Sequence, residues 1–99
     1  SYEQELKGVD KALRRLDHWL AAHRNELFIT NMQGERLLCK QDLAKALGIT
    51  RPTLDRWLKS KWLKDCCDHS RTEDNIYYYS AAAIKYALEE YLLKEDNSN

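Results

Sequence analysis

The stretch from residue 40 to residue 59, KQDLAKALGITRPTLDRWLK, constrains the fold more than any other part of the chain. Its first half carries apolar residues at helical spacing and ends at Gly48, a residue that reaches the left-handed backbone region without a side-chain clash and so ends helices readily. Thr50 is a good N-cap for a second helix, and Pro52 suits the first turn, where its missing N–H would be unpaired anyway. The stretch therefore predicts two short helices joined by a tight turn.

The apolar residues of this stretch indicate how the two helices pack. We expect Ala44 where the helices cross, because a small side chain allows a close approach, and we expect Ile49 to return to the core after the turn. The second helix would turn Leu54, Trp57 and Leu58 inward. A small residue, a glycine four positions later and apolar residues beyond the turn are typical of a helix-turn-helix unit, whose second helix enters the major groove of DNA.

The net charge of the 99 residues is zero, but the charges are unevenly distributed. Residues 36–64 hold eight basic and two acidic residues, a net charge of +6, whereas residues 1–35 and 65–99 carry −1 and −5. The basic third coincides with the predicted helix pair, and a positive surface on such a unit is typical of phosphate binding. The alternative is a solvated surface that happens to be uneven in charge.

The outward side of the second helix, residues 52–60, supplies the candidate DNA contacts. Arg56 is the best candidate for a bidentate contact to a guanine edge, and Thr53 suits a thymine methyl or a phosphate. Backbone phosphates, which position a protein without specifying sequence, suit Lys59, Lys61 and Lys64, and Lys40 and Gln41 would act there with the N–H groups that open the first helix. Arg51 suits either a base or a phosphate, and Arg71 suits a minor groove or the backbone. The full candidate set is Lys40, Gln41, Arg51, Thr53, Arg56, Lys59, Lys61, Lys64 and Arg71. The alternative is a helix that packs on one side and is merely exposed on the other.

Residues 3–24 predict a long N-terminal helix with an apolar stripe that alternates steps of three and four residues, the spacing of a coiled-coil seam. The candidate dimerisation residues on this stripe are Leu6, Val9, Leu13, Leu16 and Leu20. The stripe either pairs with its twin in a homodimer or packs on the body of its own chain. We favour the homodimer, because the regular heptad is longer than one short body would cover, and we assign residues 1–26 to dimerisation.

Two β-prone runs, Leu27–Thr30 and Arg36–Cys39, lie between the first helix and the helix pair. They could form a hairpin with each other, or only the second run could join a sheet formed further along the chain. We favour the second arrangement.

The region after the helix pair predicts a β-hairpin and a last helix. Trp62–Cys67 is expected to be a strand, residues 68–75 a polar loop carrying Arg71, and Ile76–Tyr79 the aromatic return strand. Ser80 would cap a final helix that begins at Ala81 and continues to about residue 95. The predicted fold is mainly α with a small β wing: a winged helix-turn-helix domain at 36–95, preceded by the N-terminal helix.

Other chemistries have little support in the sequence. Cys66, Cys67 and His69 lie close together, but adjacent residues of a strand point to opposite faces and no second ligand pair follows, so we expect no metal site. We expect no cofactor, no enzymatic activity and no membrane span, because phosphate loops, nucleophile motifs and long apolar runs are missing. Three cysteines and no visible secretory signal favour a reducing cytoplasm.

Two runs, KQDLAKALGITRPTLDRW and DNIYYYSAAAIKY, resemble the winged helix of the phage terminase small subunit of the lambda-like DNA-packaging type. The wider group includes excisionases and MerR-like regulators. The second run is the more specific, because an aromatic strand leads directly into Ser-Ala-Ala-x-Ile-Lys at a helix start. The resemblance spans residues 40–86 and implies a winged-helix fold, duplex DNA as ligand, recognition through the second helix, a wing at an adjacent groove and dimeric use of half-sites.

The expected function is therefore DNA binding by a protein of the phage, mobile-element or bacterial regulator type, with double-stranded DNA and a second copy of the chain as partners. The alternative is a protein-interaction adaptor that reuses the same fold. In that case the acidic C-terminal third, residues 65–99, would be the docking face for a protein partner.

Overall fold

A computed structural model of the chain describes residues 2–60, 62–71 and 75–96. Within these residues the structure contains four helices and a three-stranded antiparallel sheet, which confirms a mainly α fold with a small β component. The elements in chain order are α1 (Tyr2–Ala22), β1 (Leu37–Cys39), α2 (Lys40–Leu47), α3 (Arg51–Lys59), β2 (Cys67–Arg71), β3 (Ile76–Ser80) and α4 (Ala81–Asp96). In this part of the chain, no helix combines the length and apolar character needed to cross a membrane.

The turn between α2 and α3 forms as its residues predict. Gly48 has a φ of 70°, and its N–H bonds to the last carbonyls of α2. The Ile49 N–H donates to the Ala44 carbonyl at 3.1 Å, which completes the C-terminal cap. At the start of α3 the Thr50 hydroxyl accepts a bond from the Thr53 N–H at 3.4 Å. The connection is therefore fixed by hydrogen bonds of its own backbone and of one side chain.

The sheet has the order β1–β3–β2, with the aromatic strand β3 in the centre. In β1, Leu37 lies opposite Ser80 and Cys39 lies opposite Tyr78. The earlier run, Leu27–Thr30, contributes one isolated bridge from Thr30 to Arg36. The second run therefore joins the sheet, as predicted. The first run also pairs with the second, since the Leu37 N–H donates to the Ile29 carbonyl at 2.8 Å, so the prediction that only the second run pairs is wrong.

The strand predicted at Trp62–Cys67 is wrong, because residues 62–65 form a turn and β2 begins only at Cys67. The N–H of Lys64 donates to the Ser60 carbonyl at 3.0 Å, which closes a turn directly after α3. In this turn Leu63 packs in the core with none of its surface exposed. Residues 68–71, predicted as loop, belong to β2 and pair with β3 instead. Pairing with an aromatic neighbour outweighs the low intrinsic β-propensity of this run. Residues 72–74 of the predicted wing loop lie outside the described residues.

The apolar stripe of α1 packs on its own chain, which was the second of the two arrangements considered. Val9 and Leu16 have none of their surface exposed and belong to the same hydrophobic core as α2, α3 and α4. Leu13 and Leu20 are half-buried against that core, and Leu6 is half-buried on the same helix. The assignment of Val9 and Leu16 to a dimer interface is therefore corrected, since both are already covered within one chain. Homodimerisation itself stays a prediction.

Arg36 ties the C-terminal end of α1 to the sheet. Its guanidinium donates to the Leu20 carbonyl at 3.0 Å and to the Arg24 carbonyl at 3.4 Å, and it lies 5.3 Å from the centroid of the Phe28 ring. These carbonyls have no intrahelical partner, and a cation suits the negative end of the helix dipole. Arg36 belongs to the basic segment 36–64, but its guanidinium binds these carbonyls and so stabilises the fold.

The last helix, α4, follows its prediction closely. The Ser80 hydroxyl accepts a bond from the Ala83 N–H at 3.2 Å, as an N-cap should. Ile84 and Leu88 are fully buried. The Lys85 ammonium lies 2.9 Å from the Asp17 carboxylate of α1, and this hydrogen bond and charge raise the pKa of Lys85. The pair joins the two longest helices at the protein surface.

Candidate nucleic-acid interface

Helix α3 is held by its inner face and presents free cations on its outer face. Leu54 is fully buried and Trp57 is 5% exposed, so both anchor the helix on the core. Arg56 and Lys59 are exposed, and neither forms a hydrogen bond or ion pair with any described residue. The two side chains most directly predicted to meet DNA are therefore available to an external ligand.

Thr53 is half-buried at the start of α3, and its hydroxyl is already engaged. The Thr53 oxygen lies 2.9 Å from the Thr50 oxygen, while the Thr53 N–H donates to that same oxygen. The hydroxyl of Thr53 is thus part of the helix cap, and a phosphate contact would have to share it.

Three of the predicted residues meet in one depression, here called the α2–α3 cleft. Lys40 and Gln41 come from the first turn of α2, and Arg51 comes from the first turn of α3. The cleft has a volume of about 320 Å³ and is closed on its third side by Asn75, Ile76 and Tyr77 at the start of β3. The start of α2, the start of α3 and the central strand therefore converge here.

The charges in the α2–α3 cleft are not all free. The Lys40 ammonium lies 3.3 Å from the Asp55 carboxylate of α3 and 5.9 Å from the centroid of the Tyr77 ring. The two side chains are partly exposed, with 32% and 44% of their surfaces accessible, so solvent screens the pair in part. The Asp55 Oδ1 atom that faces Lys40 is itself buried and accepts no hydrogen bond from a described residue, so Lys40 compensates its charge. Arg51 is exposed and forms no such pair with a described residue, so it is the uncompensated cation of the cleft.

The first turn of α2 adds backbone donors to the cleft. Its N-cap, Cys39, makes no side-chain capping hydrogen bond, as its weak acceptor character predicts. The first N–H groups of a helix lack intrahelical partners and carry the positive end of the helix dipole. An anion near Lys40 and Gln41 would therefore meet these donors as well as the side chains.

Tyr79, on the central strand, is neutral at physiological pH. It is 6% exposed, and burial is the largest of the causes that raise the pKa of Tyr79. The negative charge of Asp55 also raises the pKa, while the positive charge of Arg51 acts in the opposite direction. Because the phenol does not ionise, it contributes no negative charge near the basic surface.

The described cysteines, Cys39, Cys66 and Cys67, form no disulfide. Burial and then the charge of Asp65 raise the pKa of Cys66, so the neutral thiol, a poor metal ligand, is favoured. Within the residues that the structure describes, no three His, Cys, Asp or Glu side chains are grouped so that they could hold a metal ion.

Of the three remaining predicted contacts, the structure describes Lys64 and the backbone of Arg71. Lys64 is exposed in the turn after α3. The backbone of Arg71 lies at the end of β2, opposite Ile76. Lys61 lies outside the described residues. The roles of all three stay predictions.

The structure also contains a basic depression that the sequence reasoning missed, here called the α1–α2 cleft. It has a volume of about 510 Å³ and lies where α1 crosses α2. Its basic side chains and histidines are Arg14, Arg15, His18, His23 and Lys45. The sequence does contain a signal for this cleft, because Arg14 and His18 are four residues apart and so lie on one face of α1, with Arg15 beside them. The net charge of residues 1–35 is −1, because acidic residues nearby cancel the charge of this basic group.

Comparisons of the chain with known protein families, with curated proteins and with solved structures find no match.

Proposed function

We propose that the chain is a non-enzymatic DNA-binding protein of the winged helix-turn-helix type, from a phage, a mobile element or a bacterial regulator. In this proposal α3 enters the major groove of duplex DNA. The observation that carries the proposal is the free cationic face of α3, where Arg56 and Lys59 are exposed and unpaired among the described residues while Leu54 and Trp57 fix the helix on the core. A rigid helix with free donors on its outer side is the arrangement that base reading requires.

The α2–α3 cleft would hold the DNA backbone. Arg51 offers an uncompensated guanidinium, which suits the geometry of a phosphate, and the start of α2 offers backbone N–H groups beside Lys40. A phosphate bound here would set the depth and register of α3 in the groove, and Arg56 would then discriminate between base pairs. Positioning and reading are thus assigned to different residues.

The β2–β3 hairpin would serve as the wing. It forms one edge of the sheet, because β3 is central and β2 pairs with it alone. Arg71, at the end of β2, is the cation proposed for the neighbouring groove or its backbone.

Selection of bound duplexes from a random pool, followed by sequencing, tests this proposal. We expect an enriched sequence motif, and a two-fold symmetric motif would indicate that two copies of α3 read two half-sites. Retention of every duplex without enrichment would remove the base-reading role of α3. A pool that is not retained at all, at low salt, would overturn the proposal.

A second candidate function, a protein-interaction adaptor, is favoured by the exposed surface of α4. Tyr86 and Leu93 are 63% and 61% exposed, and the acidic residues Glu89 and Glu90 lie on the exposed side of the same helix. Exposed apolar residues rimmed by charge are typical of docking surfaces. The duplex selection separates the two candidates, since an adaptor of this kind needs no DNA.

A further inference from the structure

We propose that the α1–α2 cleft binds a phosphate group of the DNA backbone, so that α1 is part of the DNA interface. This inference rests on the proposed function, because it assigns a second anchoring site to the same duplex. Among the described residues that line the cleft there are three arginine or lysine side chains, two histidines and no aspartate or glutamate. Guanidinium and ammonium groups that converge without a carboxylate are suited to an oxyanion of phosphate type.

The cations of this cleft differ in how far they are already engaged. Lys45 is exposed and has no hydrogen bond or ion pair with any described residue. Arg14 lies 3.3 Å from Asp10, but 80% of the Arg14 side chain and 45% of the Asp10 side chain are exposed, so the pair is weak and Arg14 can exchange Asp10 for a phosphate. Lys45 and Arg14 are therefore the two groups that a phosphate would recruit.

Arg15 connects the α1 side of the cleft to the turn that leads into α3. Its guanidinium donates to the Gly48 carbonyl at 2.9 Å, and Gly48 precedes the first residue of α3 by only three positions. A phosphate held beside Arg15 would consequently lie close to the N-terminal end of the proposed reading helix.

The surface of α2 connects this cleft with the α2–α3 cleft. Gln41 lines the α2–α3 cleft and Lys45 lines the α1–α2 cleft, and both are exposed. Residues four apart on a helix are neighbours on one face, about 5–6 Å apart at their Cβ atoms. The two clefts thus lie along one strip of α2, and each strand of a duplex carries one phosphate per ~3.4 Å of the helix axis. This continuity is the reason for assigning the cleft to the same DNA strand and not to a separate ligand.

A charge-matched pair of double variants tests the inference. Arg14→Ala with Lys45→Ala removes two cations of the cleft, and Lys7→Ala with Lys11→Ala removes two exposed cations of α1 that do not line it. The affinity for the selected duplex and for a scrambled duplex is measured over a range of salt concentrations. We expect the cleft variant to lose the same factor on both duplexes and to lower the slope of log affinity against log salt by about 1 to 2, since each phosphate contact is worth about 0.9. The control variant should keep a slope close to that of the wild type.

The outcomes separate this inference from the proposed function. If the wild type binds duplex and the cleft variant matches the control, the cleft has no phosphate contact, while the role of α3 is untouched. If the wild type binds no duplex, both proposals fail together, and the duplex selection will already have reported it.

A second measurement identifies the source of the phosphate. Trp19 lines the cleft and stacks on His23 with ring centroids 4.0 Å apart, so its indole N–H resonance reports on an occupant. We expect this resonance to shift with stoichiometric duplex, and to shift with inorganic phosphate or a nucleoside monophosphate only in large excess. Saturation by the mononucleotide with no response to duplex would assign the cleft to a free nucleotide and overturn its assignment to DNA.

Discussion

At the scale of single residues, the surroundings of a cation decide whether it serves the fold or a ligand. Arg15 and Arg36 donate to backbone carbonyls that close a turn and a helix end. Arg56 and Lys59 have no such partner among the described residues. All four look alike in a count of charges, so the sequence predicts a basic surface but not which of its cations are free.

Arg56→Ala should relax the sequence preference of the protein. A bidentate contact to a base edge is worth about 1–3 kcal/mol of discrimination, so the affinity ratio between the selected duplex and a single-base variant should shrink by about that amount. The ratio is measured by fluorescence anisotropy at fixed salt. Lys59→Ala is the control, because a phosphate contact should weaken both duplexes alike. An unchanged ratio in Arg56→Ala would contradict the reading role.

Gly48→Ala should destabilise the fold by about 1–2 kcal/mol. Gly48 has a φ of 70°, where a side chain is strained, and an added Cβ would collide with the Cδ atom of Arg15. The free energy of unfolding is measured by urea denaturation. Gly8→Ala is the matched control, because nothing lies within 4 Å of an added Cβ there and alanine should stabilise that helix interior by about 0.5–1 kcal/mol. Equal stability of the two variants would contradict this account of the turn.

At the scale of elements, periodicity predicts a helix and its apolar side but not what covers that side. The stripe of α1 has the spacing of a coiled-coil seam, yet Val9 and Leu16 are covered by α2 and α4 of the same chain. A dimer seam and packing within one chain need the same apolar residues at the same spacing. Which of the two forms depends on whether later elements of the chain fold back onto α1. Local pattern also fails for β2. Its residues are polar and predict a loop, and the strand forms through its pairing with β3.

Leu16→Ala should lower the free energy of unfolding by about 2–5 kcal/mol, since the side chain is fully buried. Leu93→Ala, on a side chain that is 61% exposed, should change it by less than about 0.5 kcal/mol. The measurement is urea denaturation at two protein concentrations. A midpoint in Leu16→Ala that depends on concentration more strongly than in the wild type would instead place this residue between two copies of the chain.

At the scale of the whole molecule, the sequence predicts correctly those features that depend only on neighbouring residues. The turn at Gly48, the cap at Ser80 and the inner faces of α3 and α4 follow from neighbouring residues alone. The α2–α3 cleft was predicted in part, because Lys40 and Gln41 begin a helix that the sequence identifies. The α1–α2 cleft forms only where α1 packs on α2, so the basic residues at 14–18 do not predict it by themselves. The turn at residues 62–65 is closed by a local hydrogen bond, but its apolar residues suit a strand equally well.

The predicted homodimer belongs to this scale as well. Because α1 is used inside the chain, a dimer that reads two half-sites would need a contact surface other than Val9 and Leu16. Light scattering of the free protein and of its duplex complex reports the number of copies in each state. Two copies on a symmetric duplex would support dimeric use of DNA, and a single copy on that duplex would contradict it.

Binding of duplex DNA by the cationic face of α3 is measured through the salt dependence of affinity for the selected duplex. We expect log affinity to fall linearly with log salt, with a slope of about 0.9 for each phosphate that is neutralised, and a slope smaller by about 1 in Lys59→Ala. An affinity that does not change with salt, or an equal slope in Lys59→Ala and the wild type, would contradict it.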